Sequence, residues 1–141
     1  MNFIQIFDPK QQQKLTDISL LLLRLAVGFM MLYSHGWGKL LKFFGDDPIT
    51  FADPIGLGAI TSLILTVFAE FFCSILLMLG FGTRLASIPL IITMLVAIFI
   101  IHWDDPFGKK EFGLLYLVPY IIIFLMGAGR YSLDALIFKN K

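Results

Sequence analysis

Cysteine occurs once in 141 residues, at Cys73, so neither an intramolecular disulfide nor a thiolate metal cage can be built. Charge is scarce as well: 15% of residues carry it, and eleven Lys and Arg against ten Asp and Glu leave a formal net charge of +1. No global basic field exists to recruit nucleic acid, and that class of partner is excluded. The first residues, MNFIQIFDPKQQQK, lack the basic region, apolar stretch and small-residue site of a cleavable signal peptide. The first apolar helix is therefore expected to direct its own insertion.

What fills the chain is apolar. Hydrophobic residues make up 58%, with fifteen Phe, and the mean hydropathy of +0.86 is that of a membrane protein rather than of a soluble domain. A helix needs about 20 apolar residues to cross the hydrocarbon, and four segments qualify: Ile18 to Trp37, Leu57 to Leu79, Leu85 to Trp103 and Phe112 to Met126. The connections are too short to form a soluble domain. The expectation is an all-α, polytopic four-helix bundle occupying residues 1–141 as one unit.

Orientation follows the Lys and Arg bias of short loops. One side would carry Lys10, Lys14, Arg84, Arg130, Lys139 and Lys141, and the other Lys39, Lys42, Lys109 and Lys110. Both termini are expected to be cytoplasmic. Spans one and three end in His35-Gly36-Trp37 and His102-Trp103, and spans two and four leave through Gly80-Phe81-Gly82-Thr83-Arg84 and Gly127-Ala128-Gly129-Arg130. Two parallel hairpin repeats would give this echo, as would chance. Pro119, well inside span four, is expected to kink it.

Ionisable groups inside spans are costly and face protein or water. Arg24, Gly28, Met31, His35, Lys39 and Lys42 recur at helical spacing, and Ser62, Thr66, Glu70 and Cys73/Ser74 form a second polar face. Two such faces on adjacent helices should meet, with Arg24 and Glu70 as the expected ion pair. Two roles stay open for that pair: a structural tie, or a proton-carrying Glu70 controlled by Arg24. His35, His102, Lys39 and Glu111 would gather at the outer level, where imidazoles and an ammonium can protonate and hold a carbonyl oxygen. Asp104 and Asp105 lie at the same level, either as carboxylates of this cluster or as ordinary headgroup-level charges. Tyr116 and Tyr120 share a face of span four. No haem or metal motif accompanies the two histidines, so no metal and no built-in cofactor are expected.

Around these residues the sequence resembles the DoxX family of small four-helix membrane proteins. The resemblance is carried by Arg24, by His35-Gly36-Trp37-Gly38-Lys39-Leu40, by Ala69-Glu70 leading to Leu79-Gly80-Phe81-Gly82-Thr83-Arg84-Leu85-Ala86, and by Gly127-Ala128-Gly129-Arg130-Tyr131-Ser132-Leu133-Asp134. Small residues expected after the glutamate, often a glycine pair, are Cys73-Ser74 here. The resemblance implies a multi-pass protein of the bacterial inner membrane, an accessory subunit in a quinone-linked redox system with other membrane or redox subunits, or copies of itself, as partners. Carried to matching positions, it points to Arg24, His35, Lys39, Glu70, Arg84 and His102.

Three functions compete: a quinone-handling subunit, with His35, Glu70 and His102 in proton transfer and Lys39, Tyr116 and Glu111 at the head group; a non-catalytic membrane scaffold; and a small transporter or proton path along Arg24, Glu70 and His35.

Overall fold

In a computed structural model of the chain, residues 9–138 are described, and every regular element among them is helical. The side chain of Lys10, residues Lys139 and Lys141, and the segment 1–8 in which no signal peptide was expected lie outside what is described. Four rods form the molecule. In rod one, α1 (Pro9–Met31) passes through a π-helical turn, Leu32–Gly36, into α2 (Trp37–Leu41). Rod two is α3 (Ala59–Val67), a π turn at Phe68–Cys73 and α4 (Ser74–Leu79). Rod three is α5 (Thr83–Val96) with a π turn at Ala97–Ile101, and rod four is α6 (Phe107–Met126). A short α7 (Leu133–Phe138) is the last element among the described residues.

Three helices are long and apolar enough to cross a membrane: Gln11–Leu41, Ala59–Leu79 and Thr83–Ile101. The fourth carries Lys109, Lys110 and Glu111 in its first turns, which leaves Phe112–Met126 as its apolar stretch. Pro119 sits inside α6 without ending it. Large apolar side chains cover the outside of all four rods, while the core holds Met31, Leu63, Leu77, Leu90, Tyr120 and Ile123; the core is like that of a soluble bundle and the surface is not.

The π turn of rod one decides which side chains meet rod two. Arg24, Gly28 and Met31 follow at steps of four and three, and the next residue buried on that face is Gly36, five further on. In a regular α-helix five steps would carry it about 140° off the face; the wider turn, closed by Trp37 N–H donating to the Leu32 carbonyl, brings it back. His35, expected on the stripe, is displaced sideways toward rod four. Glycine is required at the contact. A Cβ at Gly36 would lie 2.6 Å from the Glu70 carbonyl oxygen, and one at Gly28 would lie 2.6 Å from Met78 Cγ. The rods approach backbone to side chain, the membrane mode of close packing.

Beyond the end of rod two, the stretch before Arg24 packs on the chain's tail. Asp17 accepts a hydrogen bond from Arg130 N–H at 3.1 Å. Asp134 accepts from Gly82 N–H at 2.7 Å and Thr83 N–H at 2.9 Å, supplying to α5 the donors' partner that a local N-cap normally provides. The glycine-rich exit of span two is thus tied to α7. We call this the turn end and the opposite end, with the 42–58 connection, the loop end.

Because Gly36 faces backbone while Gly38 has nothing within 4 Å of its would-be Cβ, Gly36→Ala should destabilise the protein by about 1 to 3 kcal/mol and Gly38→Ala should not. Thermal unfolding of the two variants in mild detergent checks this.

Candidate functional site

Arg24 and Glu70 do not pair. Arg24 is fully buried, and its guanidinium donates to the carbonyls of Leu77 at 3.1 Å, Met78 at 3.2 Å and Tyr131 at 2.7 Å. The first two are acceptors in the last turn of α4, where a cation is favoured by the helix dipole, and the third lies in the tail beyond α6. Gly80, left-handed at φ +67°, leaves space that any side chain would take from Arg24. The correction concerns register. Arg24 lies level with Met78, so Glu70 is about 12 Å nearer the loop end at 1.5 Å per residue. Rod one begins at Pro9 rather than Ile18, and hydropathy does not reveal how far it overshoots its neighbour.

Glu70 has another partner. Both of its oxygens accept from Lys39 Nζ, at 2.7 and 2.5 Å, and its side chain is only 4% exposed. Lys39 is one helical turn beyond Gly36, so the glycine contact delivers the ammonium to the carboxylate. Two charges removed from water this far hold only when geometry is good and both are paired.

The pair forms part of the lining of a cavity of about 460 Å³ to which all four rods contribute, within the size range of small-molecule sites. His35, Lys39, Glu70, His102 and Tyr116 all line it. His35 sets its ring edge-on to Tyr116, with centroids 5.7 Å apart, and Tyr116 stacks on Tyr120 at 6.2 Å. His102 Nδ1 lies 2.7 Å from Asp105 Oδ2, and Lys109 donates to the other oxygen of Asp105 at 3.0 Å. Asp105 thereby orients an imidazole and is more than a headgroup-level charge. Hydrogen bonds from His102, then from Lys109, hold its carboxyl below the usual carboxylate range. Most of the remaining wall is apolar, including Leu65, Phe68, Ile92, Val96 and Phe112, with Ser62, Thr66, Thr93 and Lys109 as its other polar members.

Over the loop end lies the 42–58 connection. Phe51 stands 6.0 Å from Lys39 Nζ and 5.8 Å from Lys42 Nζ, and Phe51, Pro54 and Ile55 complete the lining. Asp53 fixes this segment by accepting from Leu57 N–H, Gly58 N–H and Ser62 Oγ, each at 2.9 Å, bonds that keep its carboxyl below its ordinary range, the Gly58 one foremost. Glu111, expected at the head group, is exposed on α6 and outside the lining. Arg84 is also apart, donating to the Leu125 carbonyl at 3.2 Å. Sequence reasoning did not single out Phe51 or Asp53, whose roles depend on how the loop folds back, and it grouped Asp105 with His102 only by level, without pairing the two. Among the described residues no group of three His, Cys, Asp or Glu side chains is placed to hold a metal.

An apolar helical membrane protein with a polar cluster sunk in an intramembrane cavity is the class that fold and site define. The profile of the DoxX family matches residues 19–103, and the chain belongs to the DoxX family. It is 32% identical over 127 residues to a Bacillus subtilis protein named "Putative oxidoreductase CatD", covering 89% of this chain and 91% of that one. Two Haemophilus influenzae proteins, each described as uncharacterized, are similar at 31% over 135 residues (91% and 97% of the two chains) and 30% over 139 residues (94% and 91%). No solved structure matches it.

Double-mutant cycles distinguish the two arrangements of charge. Lys39→Met and Glu70→Gln should show a coupling of about 1 to 3 kcal/mol, whereas Arg24→Leu and Glu70→Gln should add within about 0.5 kcal/mol, as read from unfolding in detergent.

Proposed function

We propose that the protein is a membrane subunit of a quinone-linked redox system and that its cavity receives the quinone-like head group. The observation that carries this reading is the pairing of buried Glu70 with Lys39 on the wall of a mainly apolar cavity that His35, His102 and Tyr116 also line. A head group with carbonyl oxygens needs donors, and the hydrogen of Lys39 not engaged by Glu70, the His35 ring and the Tyr116 hydroxyl provide them. Because Lys39 is neutralised by Glu70, the site favours an uncharged head over an anionic one. His102, oriented by Asp105, and Glu70 are the proton-exchanging groups in this account. The electrons come from a partner subunit, and the name of the Bacillus relative agrees with a redox setting.

In the same reading rod four completes four membrane spans, with Lys109, Lys110 and Glu111 at the bilayer surface, both termini cytoplasmic and the cavity toward the outer face of a bacterial inner membrane. Single-cysteine variants on a Cys73→Ser background should react with an impermeant thiol reagent in intact cells at Asp46 or Lys109, and not at Lys139. Reversed labelling contradicts the orientation.

The ligand is tested by quenching of Trp103 fluorescence in a Trp37→Phe protein, with decyl-ubiquinone as the probe. His35→Phe and His102→Phe should each weaken binding about tenfold, equal to 1.4 kcal/mol, without loss of folded protein. Binding unchanged in both variants would contradict the reading, and no binding to the parent protein accompanied by recovery of a redox partner would favour the scaffold function instead.

A further inference from the structure

The cavity is roofed toward water and open toward lipid. Phe51, Pro54 and Ile55 of the 42–58 connection lie across its loop end. Its lateral wall is made by residues on the outer face of the bundle: Phe68 on rod two is 50% exposed and Ile92 on rod three 54%. Rod three packs against Phe68–Cys73 and α4, nearer the turn end, so the part of rod two that borders this slot is α3. A ligand reaching the Lys39–Glu70 pair without displacing the roof passes between α3 and α5.

The slot continues into a second concavity. A shallow furrow on rod two is lined by Phe68, Phe72, Ile75 and Leu76, and Phe68 belongs to both cavity and furrow. Those four residues recur at steps of four, three and one along one helical face and extend about 12 Å toward the turn end. No charged or polar side chain interrupts them.

Charge at the slot selects the kind of amphiphile. Lys39 is neutralised by Glu70 and Lys109 by Asp105, so the two lysines of the cavity lining are both taken up by carboxylates. A phosphate or carboxylate head would find no unpaired ammonium among the lining residues, and a neutral head loses nothing by that.

Resting on the quinone-type reading above, we propose that the gap between α3 and α5 is a lateral portal and that the furrow along Phe68, Phe72 and Ile75 seats the ligand's apolar tail. The ligand is then an uncharged, long-tailed lipid-soluble molecule taken from the bilayer, its head beside Lys39 and Glu70 and its tail running toward the turn end. Selection of the tail rests on shape, because lipid chains are as apolar as the furrow and burial alone gives no preference.

The test uses the full chain in nanodiscs with a decyl-ubiquinone analogue carrying a diazirine at the end of its tail. The expected result is label on Phe68–Leu76, displaced by unlabelled decyl-ubiquinone and lost in a Phe72→Ala, Ile75→Ala variant that still shows head-group quenching of Trp103. Label spread over all lipid-facing helices, or concentrated on Phe51–Ile55, overturns the tail site while preserved quenching leaves the head-group reading intact. Absence of quenching by the tailed quinone and by a tail-less one overturns both. A diazirine-tailed dodecanoate that labels the furrow as strongly and is displaced equally well overturns the selection for a neutral head.

Discussion

A carboxylate in the middle of a membrane helix is costly unless a cation meets it directly, and here both oxygens of Glu70 rest on the ammonium of Lys39. That contact depends on a chain of smaller facts. Lys39 reaches rod two because Gly36, a turn earlier, has no side chain to hold the rods apart, and Gly36 faces rod two because the turn before it is one residue wider than an α-helical turn. Rod two has its own π turn over the residues that contact Gly36. Two local departures from regular helix thus cross at the point where the charges pair. π turns are insertions that re-aim side chains and recur at functional sites. The second histidine, His102, directly follows a third one in rod three, its N–H donating to the Ala97 carbonyl at 2.9 Å.

The other end of the bundle solves a different problem with the same economy of groups. Arg24 is buried as deeply as any residue in the protein, but its partners are backbone carbonyls at the end of α4 and at Tyr131. Asp134 holds the start of α5 and Asp17 the segment at Arg130. These contacts fasten rod one, the turn between rods two and three, and the tail into one knot. Its charges are therefore committed to structure, whereas those around the cavity line space that a ligand can enter. The division argues against a continuous charged path through the bundle along Arg24, Glu70 and His35.

Composition and hydropathy were enough to read the helical class, three of the four expected spans and several residues that gather at the cavity, because ionisable groups in or beside apolar runs are rare enough to be informative one by one. His35, Lys39, Glu70, His102 and Tyr116 share a single cavity for that reason. The pairing of Arg24 was not legible. It depends on the register between two rods, and the glutamine-rich start of rod one gives no hydropathic sign that the helix begins at Pro9. His35 and Gly36 exchanged roles because strict 3.6-residue spacing cannot anticipate a π turn. Glu111 was drawn in by its chemistry alone, and the roof of Phe51 and Asp53 belongs to a loop whose fold leaves no periodic trace. The glycine-rich exits of spans two and four were visible, whereas the bonds that Asp134 of α7 accepts from Gly82 and Thr83 required coordinates.

The central claim is that the Lys39–Glu70 cavity holds a neutral, carbonyl-bearing head group. Its most direct test is an experimental structure of the protein in nanodiscs saturated with decyl-ubiquinone. The account predicts ring density between Tyr116 and Lys39, with a carbonyl oxygen within hydrogen-bond distance of Lys39 or His35 and the Lys39–Glu70 contact intact. A cavity occupied by a phospholipid acyl chain in the presence of saturating quinone would contradict it.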